Sequence, residues 1–147
     1  QVYCTEYCGA PPGSSGNAGH SAMLATINVV ERAEYERFLA EGPAMPEGLT
    51  PAGWGAQQVT KYGSRTCHNV DGVTKMPAPY FKGLYGRQEE LVGGEKVKAD
   101  ENYIRTSILQ PQAQIVSGYQ NILMPPYRMP DKQIDAIIAY MRSLNDE

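Results

Sequence analysis

Histidine is nearly absent from this sequence, with two residues in 147, and cysteine is scarce, with three. The odd cysteine count argues against a closed disulfide framework, since a Cys4–Cys8 bridge leaves Cys67 over and both histidines unexplained. No stretch approaches the roughly 20 consecutive apolar residues that a bilayer-spanning helix needs. The chain opens on Gln1-Val2-Tyr3-Cys4 rather than on a basic and then apolar signal segment. Lysine and arginine form no run, and 13 of them against 16 acidic residues leave a net charge of -3. A phosphate-tracking surface is therefore not suggested, which argues against nucleic acid as a partner. No internal repeat is visible.

What remains is a globular composition, 41% hydrophobic, in a length that suits one ordinary domain or two small ones. Met23 to Val30 is β-branched and partly alternating, which predicts a strand after a Gly- and Ser-rich loop. Tyr35, Phe38 and Leu39 fall at helical spacing, so Glu31–Glu41 reads as a helix stopped by Gly42-Pro43. The prolines and glycines that follow mark residues 43–49 as a linker between a first segment, 1–42, and a second, 50–147. Thr50-Pro51 is an N-cap with proline at the first helical position, and the helix it opens runs towards Tyr62 before Gly63. Asp100 caps a helix through Tyr103, Ile104, Ile108 and Leu109 that Pro111 ends. From Asp131, the residues Ile134, Ile137, Ile138, Met141 and Leu144 form one apolar stripe at spacings of three and four. Val70 to Val97 reads mostly as loop.

The two histidines each accompany cysteine. Ser64-Arg65-Thr66-Cys67-His68 is one residue from the C-x-x-C-H signature, in which thioethers join haem to protein and the histidine supplies an axial nitrogen; Ser64 stands where the first cysteine would be. Downstream, Ala78-Pro79-Tyr80-Phe81-Lys82-Gly83-Leu84-Tyr85-Gly86-Arg87 resembles the Gly-Pro-x-Leu-x-Gly-Leu-Phe-Gly-Arg segment of class I cytochromes c. The stretch Ile115–Tyr119, then Met124-Pro125-Pro126-Tyr127 and the final amphipathic helix, resembles the sixth-ligand loop and last helix of the same family. That resemblance covers residues 50–147 and implies roles: His68 as iron ligand, the Pro79 carbonyl as its hydrogen-bond acceptor, and Arg87 at a haem propionate. A thioether opposite histidine raises the reduction potential and leaves no open coordination position, which suits electron transfer. Met124, in a Pro-flanked non-helical segment ahead of the last helix, is the expected sixth ligand. Met76 lies too close to the histidine side, Met129 adjoins the final helix, and Met141 is read as packing. With one thiol, a single thioether through Cys67 is expected.

Near the start, Cys4-Thr5-Glu6-Tyr7-Cys8-Gly9, followed by His20-Ser21-Ala22-Met23, resembles the binuclear copper (CuA) loop of cytochrome oxidase subunit II. The resemblance makes Cys4 and Cys8 the bridging thiolates, gives Glu6 a backbone-carbonyl contact, and assigns His20 and Met23 one copper each. Soft and intermediate ligands of this kind select copper. The histidine comes later after the second cysteine than in the family, across a Gly/Pro/Ser insertion that a surface loop can absorb. About seven strands make such a sandwich, so the membrane anchor and most of the copper domain are expected outside this chain. A zinc site on Cys4, Cys8 and His20, or a free dithiol, is the alternative use of the same residues.

The combined expectation is a mainly α protein: a class I cytochrome c helical fold around one haem, preceded by a partial β cupredoxin segment. A copper loop ahead of a cytochrome c domain is similar to subunit II of the caa-type haem–copper oxidases. This implies haem c and CuA as cofactors, with the oxygen-reducing subunit I as a partner. The donor would be a small cytochrome c or an upstream quinol-oxidising complex. The place is the outer, periplasmic face of a bacterial inner membrane. The alternatives are a stand-alone c-type electron carrier and the copper-bearing part of nitrous oxide reductase.

Overall fold

The computed structural model describes residues 2–3 and 24–145. Its elements run β1 (Val2–Tyr3), β2 (Leu24–Ala25), α1 (Arg32–Glu41), α2 (Pro51–Lys61), a 3₁₀ turn (Ser64–Thr66), β3 (Gln88–Glu90), β4 (Lys96–Lys98), α3 (Glu101–Leu109) and α4 (Asp131–Ser143). The chain divides into two compact units, residues 1–37 and 38–147.

In the first unit β1 and β2 pair antiparallel, Val2 opposite Ala25 and Tyr3 opposite Leu24. The strand expected over Met23–Val30 is thus shorter than its composition suggested. Met23 lies outside the described residues, and Thr26 to Val30 carry no regular structure, with Val29 95% exposed. Propensity for β structure forms no ladder where no partner strand offers its N–H and C=O groups. Helix α1 forms where the periodicity placed it, but none of its residues is buried, and Tyr35, Phe38 and Leu39 are each more than half exposed.

The second unit is built on helices. In α2 the Thr50 hydroxyl accepts from Gly53 N–H at 3.1 Å, and Pro51 occupies a position whose N–H would have no partner in any case. In α3 the Asp100 carboxylate accepts from Tyr103 N–H at 2.9 Å, and Tyr103, Ile104 and Ile108 form its buried face. The stripe read for α4 is buried as expected, from Ile134, which is fully covered, through Met141 to Leu144. Gln133 is buried beside it, its Oε1 accepting from the Tyr62 hydroxyl at 2.8 Å.

The stretch Val70–Val97 is not all loop. β3 and β4 form an antiparallel hairpin, Glu89 opposite Val97, turned by Gly93 and Gly94 at φ 109° and 87°. Leu91 bridges onward to Val116. Three-residue strands with charged members leave too short an alternation to stand out in a sequence, although Gly-Gly between valines is a turn signal.

Helices α2 and α4 meet at a glycine. A Cβ on Gly55 would lie 1.9 Å from the Ala136 carbonyl oxygen and 2.8 Å from Tyr140 Cβ, so only hydrogen fits. Gly55→Ala gains up to about 1 kcal/mol of helix propensity but must push the helices apart, an overpacking cost of about 1–3 kcal/mol. The variant should therefore be destabilised in denaturant titration, and an unchanged or raised midpoint would show that the two helices separate freely.

Candidate functional site

The segment after α2 is folded back on itself. The 3₁₀ turn brings Cys67 and His68 round so that both N–H groups donate to the Ser64 carbonyl, at 3.2 and 3.0 Å. The chain then returns to the same place: Ala78 N–H donates to the Cys67 carbonyl at 3.1 Å and Phe81 N–H to the Asn69 carbonyl at 2.9 Å. Inside the loop, the Asn69 side chain accepts from Gly72 N–H at 3.0 Å and donates to the Thr74 carbonyl. The Asp71 carboxylate accepts from the N–H groups of Val73 and Thr74, both at 2.9 Å, and from the Thr74 hydroxyl at 2.5 Å.

This closure sets the Pro79 carbonyl 2.6 Å from His68 Nδ1. A carbonyl only accepts, so Nδ1 carries the proton and the lone pair stands on Nε2, the form of imidazole that binds a metal. Burial holds the ring's pKa below its ordinary value of 6.5, with the Pro79 bond acting in the opposite direction. The ring also stacks on Phe81, centroids 4.5 Å apart and planes 18° from parallel.

His68 opens onto a cavity of about 180 Å³, an order of magnitude beyond what one water needs. Its walls come from the 3₁₀ turn, the Pro79 loop, α3 (Ile104, Ile108), residues 111–129 and α4 (Ile137, Met141). Among the described residues that line it, none is Asp, Glu, Lys or Arg. The side-chain oxygen of Gln114 reaches this wall buried and without a hydrogen-bond partner. Ser64 and Cys67 share the rim, the Cys67 thiol free and exposed. Of the candidate thioethers, Met124, Met129 and Met141 line the cavity, whereas Met76 does not. Arg87 also stands off the lining; its Nε donates to Glu89 at 2.6 Å and its guanidinium lies 4.8 Å over the Tyr80 ring.

The family model for cytochrome c matches residues 65–145, more than half of the chain. The chain belongs to the cytochrome c family. No curated protein matches it. The cytochrome c domain transfers electrons, and its family implies covalently bound haem c. The residues present fit that group. A neutral imidazole with a free Nε2, thioether sulfurs on the same cavity, a thiol at the rim and apolar walls are the donor set and surroundings of a haem c site. The Gln114 side-chain oxygen is buried on this wall without a hydrogen-bond partner; with the amide turned over, its NH2 end would donate to a propionate.

Cys4, Glu6, Cys8, His20 and Met23, the copper candidates, lie outside the described residues. Among the described residues no three His, Cys, Asp or Glu side chains gather into a metal cluster, and no helix is long and apolar enough to cross a membrane. The sequence motifs assign no role to Phe81, Asn69, Asp71 or Gln114. Asn69 and Asp71 act within one turn, for which Asp71-Gly72 is a local signal; Phe81 and Gln114 meet the cavity from segments distant in sequence and leave none.

The Asp71 carboxyl is held down to about 2 from its ordinary 3.8, chiefly by the Thr74 hydroxyl and then by the Thr74 and Val73 N–H groups. The bound form is the carboxylate, so the loop keeps this support above pH 3.8 and loses it as pH falls through about 2. Thr74→Val removes the largest contribution, so the Asp71 midpoint followed by NMR should move up towards 3.8. A midpoint that stays at about 2 would assign the effect to the backbone donors alone.

Proposed function

We propose that this chain is the electron-accepting subunit, subunit II, of a caa-type haem–copper terminal oxidase. In this reading it takes single electrons from a small redox donor, such as a cytochrome c or a quinol-oxidising complex. It passes them to a binuclear copper centre and on to the oxygen-reducing subunit I, at the outer face of a bacterial inner membrane. The observation that carries the reading is the order of motifs in one chain. Cys4, Glu6, Cys8, Gly9, His20 and Met23 stand in the order of a CuA loop, ahead of a cytochrome c domain. The chain itself makes and breaks no substrate bond.

Haem, when bound, supplies a one-electron couple. The protein's part is to fix and shield it. His68 presents Nε2 because Pro79 holds Nδ1–H; with haem bound, Cys67 would tether it through one thioether and Met124, on the same cavity, would offer its sulfur to the iron. Mostly apolar walls, with no ionised side chain among the described residues, restrict solvent access and lower the local dielectric, one of the levers on the potential.

Two measurements test the assignment. The intact polypeptide should show a near-infrared copper band and support oxygen consumption with the catalytic subunit; haem reduction without either would make it a stand-alone electron carrier. Acid-acetone treatment should leave the mass of one haem on the protein, attached at Cys67.

Met124→Ala should lower the midpoint potential and alter the visible spectrum, because a thioether opposite histidine raises the potential. Met129→Ala and Met141→Ala should leave the spectrum in place. If Met129→Ala gives the spectral loss instead, the sixth ligand is reassigned.

A further inference from the structure

His68 is held at two points, and only one is the hydrogen bond to Pro79. A ring tethered through one nitrogen can still tilt about that bond, and the flat face of Phe81, 4.5 Å away and 18° from parallel, takes up that freedom. Phe81 is itself fixed: it is 5% exposed, its N–H donates to Asn69 at 2.9 Å, and its carbonyl accepts from Leu84 N–H at 3.0 Å. The backbone bonds place Phe81 in the loop that presents Pro79, and burial confines its ring against the imidazole. In the class I segment that residues 78–87 resemble, leucine occupies this place, and leucine has bulk but no ring face.

The difference is electronic as well as geometric. The face of a benzene ring is the negative side of its quadrupole and attracts positive charge. We propose that Phe81 is a positioning residue for the haem ligand His68: it sets the plane of the imidazole and, by favouring the state that leaves more positive charge on that ring, lowers the reduction potential of the domain. The proposal rests on His68 as iron ligand.

The test uses purified holoprotein in two variants: Phe81→Leu, and pentafluorophenylalanine in place of Phe81, which keeps the shape of the ring and reverses the sign of its face. Midpoint potential and the electron paramagnetic resonance of the ferric protein are read together. The fluorinated ring should raise the reduced-to-oxidised ratio at fixed potential at least threefold, about 28 mV at 59 mV per tenfold, with the ferric resonance unmoved. Phe81→Leu should raise the potential in the same direction and shift the ferric resonance, because the ligand plane is no longer held. A fluorinated protein with histidine-ligated haem and an unshifted potential overturns the proposal while leaving the His68 reading in place. A parent protein whose spectrum shows no histidine-ligated haem overturns both.

Discussion

The contact between the Pro79 carbonyl and His68 Nδ1 is the constraint on which the rest of this site depends. It settles the tautomer, and the tautomer settles which nitrogen is free to bind metal. Yet a neutral hydrogen bond is worth a net of only about 0.5–1.5 kcal/mol, while ordering each loop residue takes about 1–2 kcal/mol of chain entropy. One bond cannot hold a loop that leaves at Cys67 and returns at Phe81. Asn69 and Asp71 supply the difference. Their side chains satisfy the loop's own N–H and C=O groups, so the turn at Gly72 is formed locally and Pro79 arrives in place. The paired backbone bonds at Ala78 and Phe81 then close it on either side of the proline.

The opposite wall is held by a different kind of force. Helices α3 and α4 turn Ile104, Ile108, Ile137 and Met141 to the cavity and the core, and their ionic contacts lie outside. Arg105 bridges to Asp131 and Asp135, and Arg142 to Glu101, all with substantial exposure. Exposed pairs of this sort contribute about 0–1 kcal/mol each, too little to set the spacing of two helices, so apolar burial must do so, while the Gly55–Ala136 approach fixes α4 against α2 on its other side. Charge is thereby kept off the cavity lining without any loss to its framework.

The helices were legible because each announced itself locally, Thr50-Pro51 and Asp100 by their caps and α4 by its stripe. Where stability comes from a partner distant in sequence, the signal failed. The β3–β4 hairpin is completed by Leu91 reaching Val116, and the run after Ala25 is irregular, with nothing pairing with it among the described residues. The same division runs through the site. Cys67, His68 and Pro79 were legible as a motif, while the Phe81 stack and the buried amide of Gln114 exist only once the loop and residues 111–129 have been brought to the same cavity. The α1 stripe is the instructive exception: its periodicity predicted the helix, but a period says nothing about whether a surface waits to receive it.

Ser64 separates two properties that the C-x-x-C-H signature normally delivers together. The backbone work of this position is done by its carbonyl, which accepts from both Cys67 and His68 N–H, and that work is indifferent to whether the side chain ends in oxygen or sulfur. The orientation of His68 is then set by Pro79 and Phe81, whose loop meets Cys67 at its backbone carbonyl. Replacing a thiol by a hydroxyl here therefore removes a covalent anchor and leaves the ligand geometry alone. On the proposed reading, attachment at Cys67 and ligation by His68 would be separable, the first set by the number of thiols and the second by the loop that holds the ring.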